Sequence, residues 1–303
     1  NTGIVLSAGS NLSVIDNNTI KIRDGGSRYG ISISSSGFNN ITNNNINLST
    51  WIGCGTISTY MRGIDISSSD PNNIKSNTIS GYGSFEAMSI SLSSSSVSNV
   101  IDNNTLSWGA ISCNGAGYGV YVSSNSNIVT NNNITSSDSN FRGITLASSI
   151  NSTVSLNTIT IFGSSSFGIM LTGGTKNNTF SGMNIEINNT GSAFYLADTN
   201  NNFTMTDSIL NATRSGINET YIAAAVKGGI WNFTNVTRSD GSPVNISWSA
   251  RANGTLNMHY YLDVNVSSLG VGLDDVNVSV FDNNSVLKIS KLSDASGLVP
   301  RYT

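Results

Sequence analysis

The chain is short of charge, histidine and proline. Of its 303 residues only 10% are Asp, Glu, Lys or Arg, the net charge is −3, and there are 3 prolines and 1 histidine. An ordinary globular domain carries about 25% charged residues. Such a composition offers no basic footprint for nucleic acid or an anionic membrane. His259 falls on the polar side of its predicted strand and has no partners there, so it makes no triad. No run of roughly 18 apolar residues is present, so the sequence contains no predicted transmembrane segment. What fills the space instead is 44 Asn, 53 Ser and 27 Thr. A polar, weakly charged composition also describes disordered chains, but the regular spacing of Ile, Val and Leu argues against that reading.

One pattern recurs: an apolar residue, two residues, Asn, one residue, an apolar residue. It appears as Ile15-Asn18-Ile20, Ile41-Asn44-Ile46, Ile74-Asn77-Ile79, Ile101-Asn104-Leu106, Val129-Asn132-Ile134 and Val154-Asn157-Ile159. Degraded copies follow around Ile185 and Ile209. Successive copies lie 26, 33, 27, 28, 25, 26 and 24 residues apart. Between them a second pattern repeats, a small residue followed by apolar-x-apolar, as in Gly63-Ile64-Asp65-Ile66 and Gly143-Ile144-Thr145-Leu146. This period, built from short strands and turns, fits one coil of a parallel β-helix. Leucine-rich repeats need a Leu register that is absent, and a propeller blade needs about 40 residues or more.

In "ITNNNI" (41–46) the flanking isoleucines therefore point inward and the asparagines form the corner. Asparagine tolerates left-handed backbone angles better than other non-glycine residues. At one corner of every coil its amide can bond to the coils above and below. Asn18, Asn44, Asn77, Asn104, Asn132 and Asn157 are expected to form such a ladder.

These repeats resemble the right-handed parallel β-helices of pectate-lyase-like proteins and of periplasmic copper-site maturation and carbohydrate-processing relatives, over about residues 4–220. The expected fold is all-β: a right-handed parallel β-helix of about eight coils with three short strands each (1–222). A β-rich connecting segment (223–255) and a small, incomplete β-sandwich (256–303) follow. "LNMHYYLDVNV" (256–266) alternates as one half-buried strand, with Leu256, Met258, Tyr260, Leu262, Val264 and Val266 on one face. Residues 275–299 read strand, Asn-Asn turn, strand, turn. The module is similar to the carboxypeptidase-regulatory type that follows β-helices in archaeal surface proteins. An incomplete sandwich leaves an open edge, which further sequence or a neighbouring subunit would cover, the second by self-assembly.

Asparagine has a second job. Through residue 199, 9 of 30 asparagines lie in Asn-x-Ser/Thr sequons, close to the frequency of Ser plus Thr; from residue 200 onward it is 10 of 14. The later ones (Asn202, Asn211, Asn218, Asn232, Asn235, Asn245, Asn253, Asn265, Asn277 and Asn283) are expected to carry N-linked glycans, which implies an extracellular or cell-surface protein. None of the six ladder asparagines is in a sequon, because an inward Ile or Leu takes the required position.

Chemistry is sparse. Cys54 and Cys113 lie in two long insertions about two coils apart, and in a secreted protein they are expected to pair as a disulfide. The outward position of the second pattern reads Ser32, Asp65, Ser89, Tyr121, Thr145, Met170 and Tyr195. Asp65, Tyr121 and Tyr195 are the carbohydrate-contact candidates, with Glu86 and Asp102 as carboxylates that would have to approach Asp65 for acid–base work. Arg28, Arg62, Arg142 and Arg214 each precede the small-residue strand by one or two positions and read first as a solvated edge, with a ridge able to meet an anionic glycan as the alternative. Asp274, Asp275, Asp282 and Asp294 are candidates for a Ca²⁺ ion between loops; no other cofactor or metal site is expected. The leading reading is an extracellular, glycosylated structural or adhesive protein without catalytic residues, with a subunit of a surface layer or filament as the expected form. The rival is a polysaccharide lyase or glycoside hydrolase, which a clustered acidic groove would reveal.

Overall fold

A computed structural model describes residues 2–23, 28–49, 60–82, 86–109, 115–188, 190–197, 202–212, 218–223 and 226–302. Those residues are all strand, turn and loop. They divide into two compact units, 1–257 and 258–303.

The first unit is a parallel β-helix of about nine turns. Each coil gives one strand to a ten-stranded sheet; the first seven give two short strands to a seventeen-stranded sheet and the later ones a single strand each, 202–212, 227–237 and 253–259. The inward residues stack in rows: Ile20, Ile46, Ile79, Leu106, Ile134, Ile159 and Ile185 are in register from coil to coil. All but Ile20, at 8% exposed, are fully buried. A partner row runs Ile15, Ile41, Ile74, Ile101, Val129, Val154 and Phe180.

The corner between these two rows is the asparagine ladder. Asn104 shows the full set of bonds. Its Oδ1 accepts from the N–H and Nδ2 of Asn77 at 2.9 and 3.0 Å. Its Nδ2 donates to the carbonyls of Ile74 and Asp102 and to Asn132 Oδ1 at 3.0, 3.1 and 2.9 Å. The residue before each ladder position takes φ near +55°, as in Asn17, Asn43, Asn103 and Asn131. A second ladder lies at the opposite end of the first strand: Asn39 bonds Asn72, Asn72 bonds Asn99 and Asn99 bonds Asn127, each by N–H and Nδ2 to Oδ1. Buried polar groups are costly unless bonded, and here each amide answers the next.

Stacking continues past residue 222, where the sequence period fades. Residues 220–222 pair in parallel with 246–248, and 202–212 with 227–237. Asn257 Nδ2 still donates to Asn232 Oδ1, 25 residues earlier, at 2.8 Å. The 223–255 segment is thus part of the helix rather than a connector. The period is hidden because Phe203, Met205, Trp231 and Phe233, all buried, replace the aliphatic inward residues.

In the ten-stranded sheet a small residue recurs at Gly30, Gly63, Ser89, Gly119, Gly143, Gly168 and Ala193. A Cβ on Gly143 would lie 2.5 Å from Gly168 O and 2.6 Å from Ile159 Cγ2. Both neighbours are packed, one of them backbone. Gly143→Ala is therefore expected to cost about 1–3 kcal/mol, read as a lower urea midpoint with an unchanged m-value.

The second unit departs further from expectation. The predicted single strand 256–266 is two, Asn253–His259, which joins the seventeen-stranded sheet, and Leu262–Asn265, with Tyr260 exposed between them and Leu262 exposed at the start of the second. Leu262–Asn265 pairs antiparallel with Leu298–Tyr302, and Asn277–Phe281 with Leu287–Leu292. These are two-stranded antiparallel sheets, with a third at 267–272, rather than the incomplete sandwich expected. Its described buried apolar side chains are Ile289 and Val299, whereas Leu269, Val271, Phe281, Val286, Leu287, Leu292 and Leu298 are exposed.

Candidate functional site

The outer face of the ten-stranded sheet differs from every other face. None of its ten strands contains an asparagine. It carries instead Tyr29, Tyr60, Tyr118, Tyr121, Phe167, Tyr195 and Tyr221, with Arg62 and Arg142 among them.

The small residue explains the arrangement. Register skips it in each strand, so that alternation breaks and residues three apart both face outward. One outward column is Tyr29, Arg62, Met88, Tyr118, Arg142, Phe167 and Ser192. The other is Ser32, Asp65, Ser91, Tyr121, Thr145, Met170, Tyr195 and Tyr221. Ser91, not Ser89, is in this column. Ser89 takes the small-residue position, where its hydroxyl receives the Trp108 indole N–H.

Contacts join the two columns into one strip. Arg62 donates to Asp65 at 2.7 Å and stands 5.8 Å from the Tyr29 ring centroid. Tyr118 meets Tyr121 edge-on at 5.3 Å, and Arg142 lies 5.1 Å above the Tyr118 ring. The Arg142 Nε–H donates to Met170 Sδ at 3.2 Å, and this guanidinium makes no ion pair with a described residue. Phe167 stacks on Tyr195 at 4.1 Å, and Tyr195 on Tyr221 at 5.5 Å with planes 3° apart. Ser91 and Thr145, short side chains between longer ones, are buried.

Charge on the strip follows from burial and neighbours. Desolvation raises the Tyr118 phenol above its ordinary value against the opposing pull of Arg142, and desolvation plus Tyr221 raise Tyr195. Both phenols stay neutral donors at neutral pH. Burial works against the Arg62 cation, but Asp65, with Tyr29 and Glu86, outweighs it, and the Arg62 pKa is raised.

Of the sequence candidates, Asp65, Tyr121 and Tyr195 therefore share one column, although Asp65 is only 7% exposed and held by Arg62. Glu86 is on the same sheet, in the row of Tyr60 and Ala116. Asp102 is not: it sits on the other sheet with Lys75 at 3.0 Å and Asn131 at 2.9 Å. The four-arginine ridge also breaks up, since Arg28 points inward beside Met61 and is fully buried. Arg214, Cys54 and Cys113 lie outside the described residues. Asp282 pairs with Lys288 and caps its own turn through the N–H groups of Asn284 and Val286. Asp294 does the same for Ser296 and Leu298. Among the described residues no three His, Cys, Asp or Glu side chains converge on a metal position. All ten predicted glycan acceptors have partly or fully exposed side chains. Tyr29, Tyr118, Phe167 and Tyr221 were missed by the sequence reading.

No protein-family description and no characterised sequence matches the chain. Three solved structures are similar in fold. A mutant of the periplasmic alginate epimerase AlgG is 13% identical, covers 84% of this chain and 78% of its own, and gives a TM-score of 0.46. The Dettilon tailspike protein is 11% identical over 97% of this chain and 69% of its own, with a TM-score of 0.38. The Agl-KA catalytic domain is 11% identical over 86% and 62%, with a TM-score of 0.28. At these values the likeness is one of β-helical architecture and bears on no activity.

Proposed function

We propose that this is an extracellular adhesive glycoprotein whose ten-stranded sheet binds an extended acidic polysaccharide along the coil axis, while its other faces carry N-linked glycans. The observation that carries this reading is the partition of side chains between faces. Asparagine, and with it every glycan acceptor, is missing from the strands of the sheet that collects six of the ten tyrosines together with Arg62 and Arg142. The fold does not force that exclusion, since the outward positions accept Ser32, Ser91 and Thr145, which are close to asparagine in size and polarity. Flat aromatic faces suit the C–H faces of pyranose rings, and a guanidinium suits a carboxylate. Arg142 is oriented by Tyr118 and Met170 and has its charge uncommitted.

Affinity electrophoresis through gels containing a polyuronate or a neutral glucan tests it. Retention by the polyuronate that weakens with added salt is expected, because exposed charges are screened; equal mobility in both gels contradicts it. A second reading, turnover of the bound chain, is favoured by the Arg62–Asp65 pair with Glu86 nearby. Appearance of new reducing ends or unsaturated uronates would replace adhesion by catalysis.

A further inference from the structure

Opposite the ladder corner of the first coils is an apolar groove of about 310 Å³, lined by Leu12, Phe38, Asn40, Pro71, Ser98 and Val100. Phe38 is 60% exposed and Leu12 77%. Both adopt left-handed backbone angles, with φ of 58° and 60°. Corresponding corners further along carry Ser98, Ser126, Asn151 and Asn177, residues for which that conformation is easy or whose exposure costs little. A phenylalanine here is unfavourable twice over, strained at the backbone and mostly exposed to water. Observed strain of this kind points to a use.

The sequence supplies one. Phe38 stands two residues before Asn40, and Asn40-Ile41-Thr42 is a sequon. Asn40 is exposed and its side chain makes no hydrogen bond among the described residues. By contrast Asn11 Oδ1 accepts from the Gly37 N–H at 2.7 Å, and Asn47 Nδ2 donates to Ser80 at 3.1 Å. We propose that Asn40 is an N-glycosylation site whose first pyranose lies in this groove against the Phe38 ring, an inference that rests on the glycoprotein reading above. The ring face is electron-rich and a pyranose presents polarised C–H bonds to it. The sugar is tethered beside the ring, so little freedom is lost on packing. The Thr42 hydroxyl donates to Asp16 Oδ1 at 2.6 Å in the folded coil. Transfer of the glycan therefore precedes closure of that coil.

The full chain from a host that N-glycosylates, as wild type, Asn40→Gln, Phe38→Ser and the double variant, provides the test. Glycopeptide mapping should find Asn40 occupied. Asn40→Gln should lower the melting temperature by about 2–4 °C when Phe38 is present and leave it unchanged in the Phe38→Ser background. Phe38→Ser should destabilise only the protein glycosylated at Asn40. Equal effects of Asn40→Gln in both backgrounds overturn the proposal, as does a bare Asn40. Occupied sequons elsewhere with Asn40 bare would defeat this site alone, whereas bare sequons throughout would defeat the glycoprotein reading with it.

Discussion

Asn104→Ala is expected to destabilise the β-helix by about 3–5 kcal/mol, near the upper end for a single substitution. The side chain takes part in five hydrogen bonds with three coils. Truncation leaves the buried Asn77 N–H without its acceptor and removes one amide donor each from the Ile74 carbonyl and Asn132 Oδ1. Each buried group so orphaned costs about 1–3 kcal/mol. Because coils touch only their neighbours, the loss is felt across the interfaces on both sides of this coil. Urea denaturation reads the effect. Asn47→Ala, which removes an exposed amide bonded only to Ser80, is the control and should stay within about 0.5 kcal/mol of wild type. Equal effects at the two positions would mean that the ladder adds nothing to stability.

The second large effect concerns binding. Tyr195→Ala should weaken polyuronate binding by about 10- to 100-fold, equivalent to about 1.4–2.8 kcal/mol. Tyr195 is the middle member of a three-ring stack with Phe167 and Tyr221, so its loss removes one surface and frees two others. Central, well-packed aromatics and arginines dominate binding energy in protein interfaces. Arg142→Ala should lose a similar factor and flatten the salt dependence. Arg142→Lys should recover little, because a lysine keeps the charge but neither stacks on Tyr118 nor presents a planar fork. Titration by isothermal calorimetry at two salt concentrations separates the aromatic from the ionic part. If Tyr82→Ala, on the other sheet and 57% exposed, costs as much as Tyr195→Ala, binding is not localised to the strip.

How much of this was legible in the sequence varies with the physics of each feature. The coil and its Ile/Leu rows were legible because an inward residue must be apolar in every coil, which imposes a period. The Asn18–Asn157 ladder was legible for the same reason. Its counterpart through Asn39, Asn72, Asn99 and Asn127 was not, although each member also lies two residues before an inward Ile or Val. Neighbouring Asn and Ser residues around it mask the pattern, and Ser152 replaces Asn in one coil. The helix continues beyond residue 222 because Phe203 and Trp231 fill the core as Ile does elsewhere, and a pattern written in aliphatics does not see them. The outward strip was half-legible. Strict alternation around Asp65 turns Gly63 outward and hides Arg62; the unpaired glycine shifts the phase and brings Arg62, Tyr118 and Arg142 to the surface beside Asp65, Tyr121 and Thr145. Arg28 stands two residues before its glycine, where Arg62 and Arg142 stand one before theirs, so it falls on the inward phase and is buried.

Hydroxyl-radical footprinting of the tyrosines, with and without a saturating acidic oligosaccharide, tests the central claim most directly. Tyr118, Tyr121, Tyr195 and Tyr221 on the ten-stranded sheet should all be protected by the ligand, while Tyr82 on the other sheet keeps its reactivity. Unchanged labelling of those four tyrosines by a ligand shown to be bound, or protection centred on Tyr82, would contradict the assignment of this face as the binding surface.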